Sequence, residues 1–81
     1  MLNTEAMLRI RNLMCETFPN DIIPDNVLDL KMGDLKGWDS LGNFNLILAV
    51  ELEFDIRFSM DQATGVKSID QIIKVLLEAD E

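Results

Sequence analysis

The stretch Ser40-Leu41-Gly42-Asn43-Phe44-Asn45-Leu46-Ile47-Leu48-Ala49-Val50-Glu51-Leu52-Glu53-Phe54 contains no proline, and its apolar positions recur at three- and four-residue spacing. That spacing predicts a helix. At roughly 100° per residue, Leu46, Ile47, Val50 and Phe54 fall within about a third of the circumference and form a core-facing stripe. Leu41, Phe44, Leu48 and Leu52 form a second stripe on the other side of the same helix. A helix apolar on two faces is either sheathed by protein or meets a partner. A chain of 81 residues buries only roughly 60% of its unfolded surface, so part of the second face is expected to be exposed.

Upstream, Met7, Ile10, Met14 and Phe18 repeat at helical spacing from Thr4 to Phe18, with Leu13 and Cys15 flanking the stripe and Glu5, Arg9, Arg11, Asn12 and Glu16 opposite it. Asn3 or Thr4 is placed to cap this amphipathic helix, and Pro19 closes it. Residues 20–38, with Pro24, Gly33 and Gly37, follow neither the helical nor the strand period. The many apolar residues of this long loop predict that it packs across the core.

Downstream, Phe54-Asp55-Ile56-Arg57-Phe58 alternates like a short strand. Two Ser-x-x-Gln capping boxes follow, Ser59 to Gln62 and Ser68 to Gln71, in which the serine oxygen accepts from a backbone N–H and the glutamine reaches back. The first opens a very short helix ending at Gly65; the second opens a longer one with the stripe Ile69, Ile72, Ile73 and Leu76. The expected fold is all-α, a small four-helix bundle of three main helices and one short helix with a long first loop. It occupies one domain over residues 1–81, without repeats or linkers.

Charge and composition narrow the function. Lys and Arg number 7 against 15 Asp and Glu, for a net charge of −8. Nucleic-acid binding is not expected, since phosphate backbones are held by clustered cations. The absence of histidine removes imidazole base catalysis, Ser-His and Cys-His pairs and histidine metal ligands. The lone Cys15 forms no internal disulfide, fits a reducing compartment, and is read as packing. The N-terminus carries no signal-peptide pattern, and the run Leu46 to Val50 is far short of the ~20 residues a membrane span needs. A soluble, cytoplasmic single domain that is not inserted in a membrane is expected.

Of three serines, Ser59 and Ser68 have capping roles with their glutamines. Ser40 stands apart. Asp39 before it is itself a capping residue, which would leave the Ser40 hydroxyl free on the first turn. Gly37-Trp38-Asp39-Ser40-Leu41-Gly42 and the helix after it resemble the central motif and second helix of the acyl carrier protein family. The resemblance extends over nearly the whole chain, including the first amphipathic helix, the long loop, the ending Glu51-Leu52-Glu53-Phe54, the short third helix and the final one.

The resemblance implies a function. Ser40, flanked by Asp39 and Leu41, would be the attachment point of 4′-phosphopantetheine, transferred from coenzyme A by a separate phosphopantetheinyl transferase. Acyl or aminoacyl groups would be carried as thioesters and presented to loading and transfer enzymes. Those partners would dock on the second helix through Leu41, Phe44, Leu48 and Glu51. Leu46, Ile47, Val50 and Phe54, facing Ile10, Met14, Ile72 and Leu76, would be core first and cargo lining second.

The chain also departs from the carriers of fatty acid synthesis, which commonly place acidic residues along that helix. Gly42, Asn45 and Leu52 stand at such positions here, and Glu51 and Glu53 remain, with Asp39 before the helix and Asp55 after it. The Trp38-Asp39-Ser40-Leu41-Gly42 form suits a specialised carrier of a polyketide, nonribosomal peptide, modified lipid or surface-polysaccharide pathway. A housekeeping fatty acid carrier and a helical adaptor without cofactor are the alternatives.

Overall fold

Four helices account for the regular structure in the computed structural model, which describes residues 4–79: α1 (Thr4–Thr17), α2 (Ser40–Phe54), α3 (Met60–Gly65) and α4 (Ile69–Ala79). No strand is present among the described residues. The architecture is the expected small all-α bundle. Capping of α1 by Asn3 or by the Thr4 side chain falls outside the described residues.

The core is built by the predicted stripes. Ile10, Leu13 and Met14 come from α1, with Phe18 one residue past its end; Leu46, Ile47 and Val50 come from α2; Ile69, Ile72, Val75 and Leu76 come from α4. Each such side chain, fully buried, contributes about 1.5–3 kcal/mol of transfer free energy. Leu13 belongs to the core instead of flanking it, and Val75 joins the α4 stripe while Ile73 is only half-buried. Cys15 is half-buried against the same cluster.

The long segment between α1 and α2 is ordered by what it packs and bonds. Ile23, Val27 and Trp38 are buried, and Leu30, Met32 and Leu35 lean on the core. Arg11 of α1 donates through Nε to the Pro24 carbonyl (2.8 Å) and through Nη2 to that of Ile23 (2.7 Å). The Asp21 carboxylate accepts from the backbone N–H groups of Lys36 (3.0 Å) and Gly37 (2.9 Å), joining the two ends of the loop. An antiparallel bridge pairs Lys31 with Ser68. Beside it, the Met32 N–H donates to the Lys67 carbonyl (2.7 Å) and the Ile69 N–H to that of Leu30 (3.0 Å). A segment without helix or sheet is thus tied to α1 and to the start of α4 through backbone groups.

The alternation over residues 54–58 forms no strand. Asp55 takes the left-handed conformation (φ 53°) and ends α2, its N–H bonded to the Glu51 carbonyl. The Ile56 N–H bonds the same carbonyl (3.1 Å), and the Glu51 carboxylate accepts from the Phe58 N–H (2.7 Å). Helix termination therefore overrides the period-two pattern. The first capping box forms as expected between Ser59 and Gln62. In the second, Gln71 N–H donates to Ser68 Oγ (3.2 Å), but Gln71 Oε1 accepts from the Lys67 N–H (2.7 Å), one residue earlier than the expected partner.

Candidate functional site

The start of α2 is assembled from three separate parts of the chain. Asp39 has extended backbone and acts as the N-cap: its Oδ1 accepts from the Gly42 N–H (2.8 Å), and its carbonyl accepts from the Asn43 N–H (2.7 Å). With these groups engaged, Ser40 occupies the first helical position, exposed, and its hydroxyl makes no hydrogen bond among the described residues. Ser59 Oγ and Ser68 Oγ, by contrast, each accept a helix N–H. The three serines divide as the sequence predicts.

The residue before the cap is locked in place. Trp38 is fully buried and stacks on Phe18, with ring centroids 5.9 Å apart at 25°. Its backbone N–H donates to the Leu35 carbonyl (3.1 Å), and its carbonyl accepts from the N–H of Gly33, whose φ of 100° is the left-handed geometry that glycine tolerates. The indole Nε1–H donates to Asn43 Oδ1 (2.9 Å), and Asn43 Nδ2 donates onward to the Val66 carbonyl (2.8 Å). Asn43 is 6% exposed and has both ends of its amide satisfied. This relay ties the head of α2 to the junction between α3 and α4.

Gly42 explains the neutral residue after Leu41. A Cβ at position 42 would overlap the Gly37 carbonyl oxygen and meet Phe18 Cε1 at 3.0 Å. The loop crosses directly over the first turn of α2, so any side chain there would displace it. Gly37 is similarly confined, with Asp21 Oδ2 and Phe18 Cδ1 at 3.0 and 3.1 Å from the place of its absent Cβ.

The four residues of the second stripe are exposed: Leu41 by 69%, Phe44 by 52%, Leu48 by 42% and Leu52 by 85%. Glu51 is half-buried and turned into the α2–α3 connection through its bond to Phe58, so it does not extend this stripe. Glu53 is held by Arg9 of α1, whose Nε donates to Oε2 (2.7 Å) and whose Nη2 donates to the Glu53 carbonyl (2.8 Å). The same guanidinium lies 4.5 Å from the centroid of the Phe54 ring, which is half-buried at the end of the core stripe.

Sequence reasoning located Asp39, Ser40 and the exposed stripe, and missed Trp38, Asn43 and Phe18 as the frame around them. Asparagine at the fourth position of a helix reads as solvated; its only sequence signal is its place one turn above a tryptophan whose indole, once buried, needs an acceptor.

The chain is 30% identical to an acyl carrier protein of Caulobacter vibrioides over 76 residues, which span 93% of this chain and 95% of that protein. It is equally similar to an acyl carrier protein of Phenylobacterium zucineum, over 93% of this chain and 94% of that protein. No family model and no solved structure matches it. Likeness that runs the length of both chains, on a helical bundle with a capped and exposed serine at the head of its second helix, establishes that the chain belongs to the acyl carrier protein family.

Proposed function

We propose that this protein carries acyl or related intermediates as thioesters on a 4′-phosphopantetheine arm attached to Ser40. The observation that carries the reading is the division among the serines: Ser40 alone is both exposed and without a hydrogen bond among the described residues. The surroundings fit a phosphodiester. Asp39 satisfies the Gly42 N–H, while the Ser40 and Leu41 N–H groups at the positive end of the helix dipole have no partner among the described residues. An anion in such an exposed place gains about 0.3–1 kcal/mol. The first turn of α2 itself holds no acidic residue, and the neighbouring Asp39 carboxylate at the N-cap is turned to the Gly42 N–H.

When bound, the arm supplies the thiol that holds the cargo. The chain's own part is to present a free hydroxyl, hold the helix head rigid through Trp38 and Asn43, and offer a surface to the transferase and to acyl- or aminoacyl-handling enzymes. The protein is then a substrate of the phosphopantetheinyl transferase and not itself an enzyme. It works as a cytoplasmic monomer, with residues 1–81 as one carrier domain.

A specialised pathway is favoured over housekeeping fatty acid synthesis. Position 42 has no room for a side chain, and the carboxylates of Glu51 and Glu53 are turned to partners within the fold. A basic enzyme surface finds few free anions on α2.

Incubation with coenzyme A and a broad-specificity transferase should add one phosphopantetheine by mass, and Ser40→Ala should abolish the addition without changing the helical spectrum. An unmodified wild-type chain, under conditions that load a control carrier, would refute the reading. Full biological activity of Ser40→Ala would favour the cofactor-free adaptor instead.

A further inference from the structure

The chain that leads into α2 is braced from the end of α1. The Asp21 N–H donates to the Phe18 carbonyl (3.1 Å), and the Phe18 N–H continues the helical pattern to the Met14 carbonyl (2.8 Å). From that footing the half-buried Asp21 carboxylate reaches across the loop: Oδ1 accepts from the Lys36 N–H (3.0 Å) and Oδ2 from the Gly37 N–H (2.9 Å). Each oxygen takes one of two successive backbone donors. Hydrogen bonds to a carboxylate are about twice as strong as those between neutral groups.

What the brace holds lies directly on the first turn of α2. The Gly37 carbonyl oxygen occupies the place where a Cβ of residue 42 would stand, and Phe18 Cε1 is 3.0 Å from the same place. Gly42 follows Ser40 by two residues, and its N–H is the one that the Asp39 cap engages (2.8 Å). Trp38 is fixed separately, by its stack on Phe18 and its bonds to Leu35, Gly33 and Asn43. Lys36 and Gly37 are exposed, and Asp21 is the partner of both their N–H groups. Without it, this piece of backbone is free to lift from Gly42, and the turn that presents Ser40 loses its inner support.

Resting on the carrier reading above, we infer that Asp21 is a positioning residue for the loading of Ser40: by clamping Gly37 onto the first turn of α2, it sets where the hydroxyl stands when the transferase acts. In that step Ser40 Oγ bonds to the phosphorus that bears the pantetheine arm of coenzyme A. The bond from that phosphorus to the departing adenosine 3′,5′-bisphosphate breaks, and the serine proton passes to a base of the transferase. Asp21 acts on the distance and angle of attack through Gly37 and takes no part in the exchange itself. A misplacement of roughly 1 Å can cost about a hundredfold in rate; with the Asp39 cap still holding the turn, the loss expected here is nearer to about tenfold.

Asp21→Asn tests this with almost no change of shape, because the amide keeps one acceptor and turns a donor toward an N–H group. The freed N–H groups are exposed and meet water. Circular dichroism and Trp38 emission should therefore match the wild type, while amide exchange at Lys36 and Gly37 should speed up. The carrier is the substrate of the loading reaction, so two kinds of damage separate in its kinetics. A partly unfolded variant lowers the concentration of usable substrate and raises the apparent KM with kcat intact, whereas a misplaced serine lowers kcat. With apo protein, coenzyme A and a broad-specificity phosphopantetheinyl transferase, Asp21→Asn should lower kcat about tenfold and leave KM within about twofold. Asp21→Ala, which removes both acceptors, should do the same. Asp29→Asn, an equal loss of charge at an exposed site on the same loop, should leave both constants unchanged. An unchanged kcat in both Asp21 variants overturns the inference. So does an effect confined to KM, which would make Asp21 a stabilising residue only, or an equal fall in Asp29→Asn, which would trace the effect to net charge. In each of these cases normal loading of the wild type keeps the carrier reading intact, whereas a wild type that does not load removes that reading and this inference with it.

Discussion

The two faces of α2 have nearly the same chemistry and opposite fates. Leu46, Ile47 and Val50 are at most 1% exposed, while Leu41, Phe44, Leu48 and Leu52 are at least 42% exposed. Hydrophobicity alone does not choose between them, since rotating the helix about its axis would exchange one set of aliphatic side chains for another at little cost in buried area. Polar contacts at the two ends of the helix break that near-degeneracy. At its head Asn43 must face both the Trp38 indole and the Val66 carbonyl; at its tail Glu53 and Phe54 must face Arg9. Either contact is lost if the helix turns by the angle that would swap the stripes.

The comparison breaks most sharply in a matched pair of truncations. Leu46→Ala, in the buried face, should cost about 2–5 kcal/mol, since it leaves a cavity in packed surroundings. Leu48→Ala, two residues along the chain, should stay within about 0.5 kcal/mol, as surface changes do. Urea unfolding with a common m-value measures both. Equal losses would mean that the outward face is covered.

Asn43→Leu is the next largest. It preserves the approximate volume and the helix but strands the Trp38 Nε1–H and the Val66 carbonyl, two buried groups with no other partner among the described residues. An unsatisfied buried group costs about 1–3 kcal/mol, so the variant should lose at least that much in urea unfolding. Its emission should also change, because Trp38 is the only tryptophan. A variant as stable as the wild type would show that the relay is dispensable and that apolar packing alone orients α2.

The difference between these effects marks what the sequence could convey. Periodicity, prolines and capping serines place all four helices because these signals are local: each depends on residues within one or two turns. The two stripes of α2 were legible for the same reason, and so was the contrast of Ser40 with Ser59 and Ser68. The contacts that choose between the stripes span long separations, Asn43 to Val66 and Arg9 to Glu53, and no local pattern announces them. Gly42 read as a missing acid, whereas its cause is the carbonyl of Gly37 passing over the helix. Glu51 read as a surface anion until the left-handed turn at Asp55 brought the Phe58 N–H to it. The residues of the site were legible, then, and the reasons for their orientation were not.

Arg9 gives the smallest effect and the finest test of the rotational argument. Its pair with Glu53 is well aligned at 2.7 Å, but both side chains remain about two-fifths exposed (41% and 38%), so solvent and salt screen it. Replacing Arg9 with Met keeps an apolar stem against the neighbouring helix while removing the charge, the hydrogen bond to the Glu53 carbonyl and the contact over Phe54. The expected loss is about 0.5–1 kcal/mol. A double-mutant cycle with Glu53→Gln separates the parts: the coupling should be about 0.2–1 kcal/mol at low salt and shrink in high salt, while the contribution of the aromatic contact persists. If the coupling vanishes at low salt as well, the tail of α2 is not held by charge. Its rotation is then set by Asn43 and the buried stripe, and the outward stripe faces solvent because of contacts made at the head of the helix.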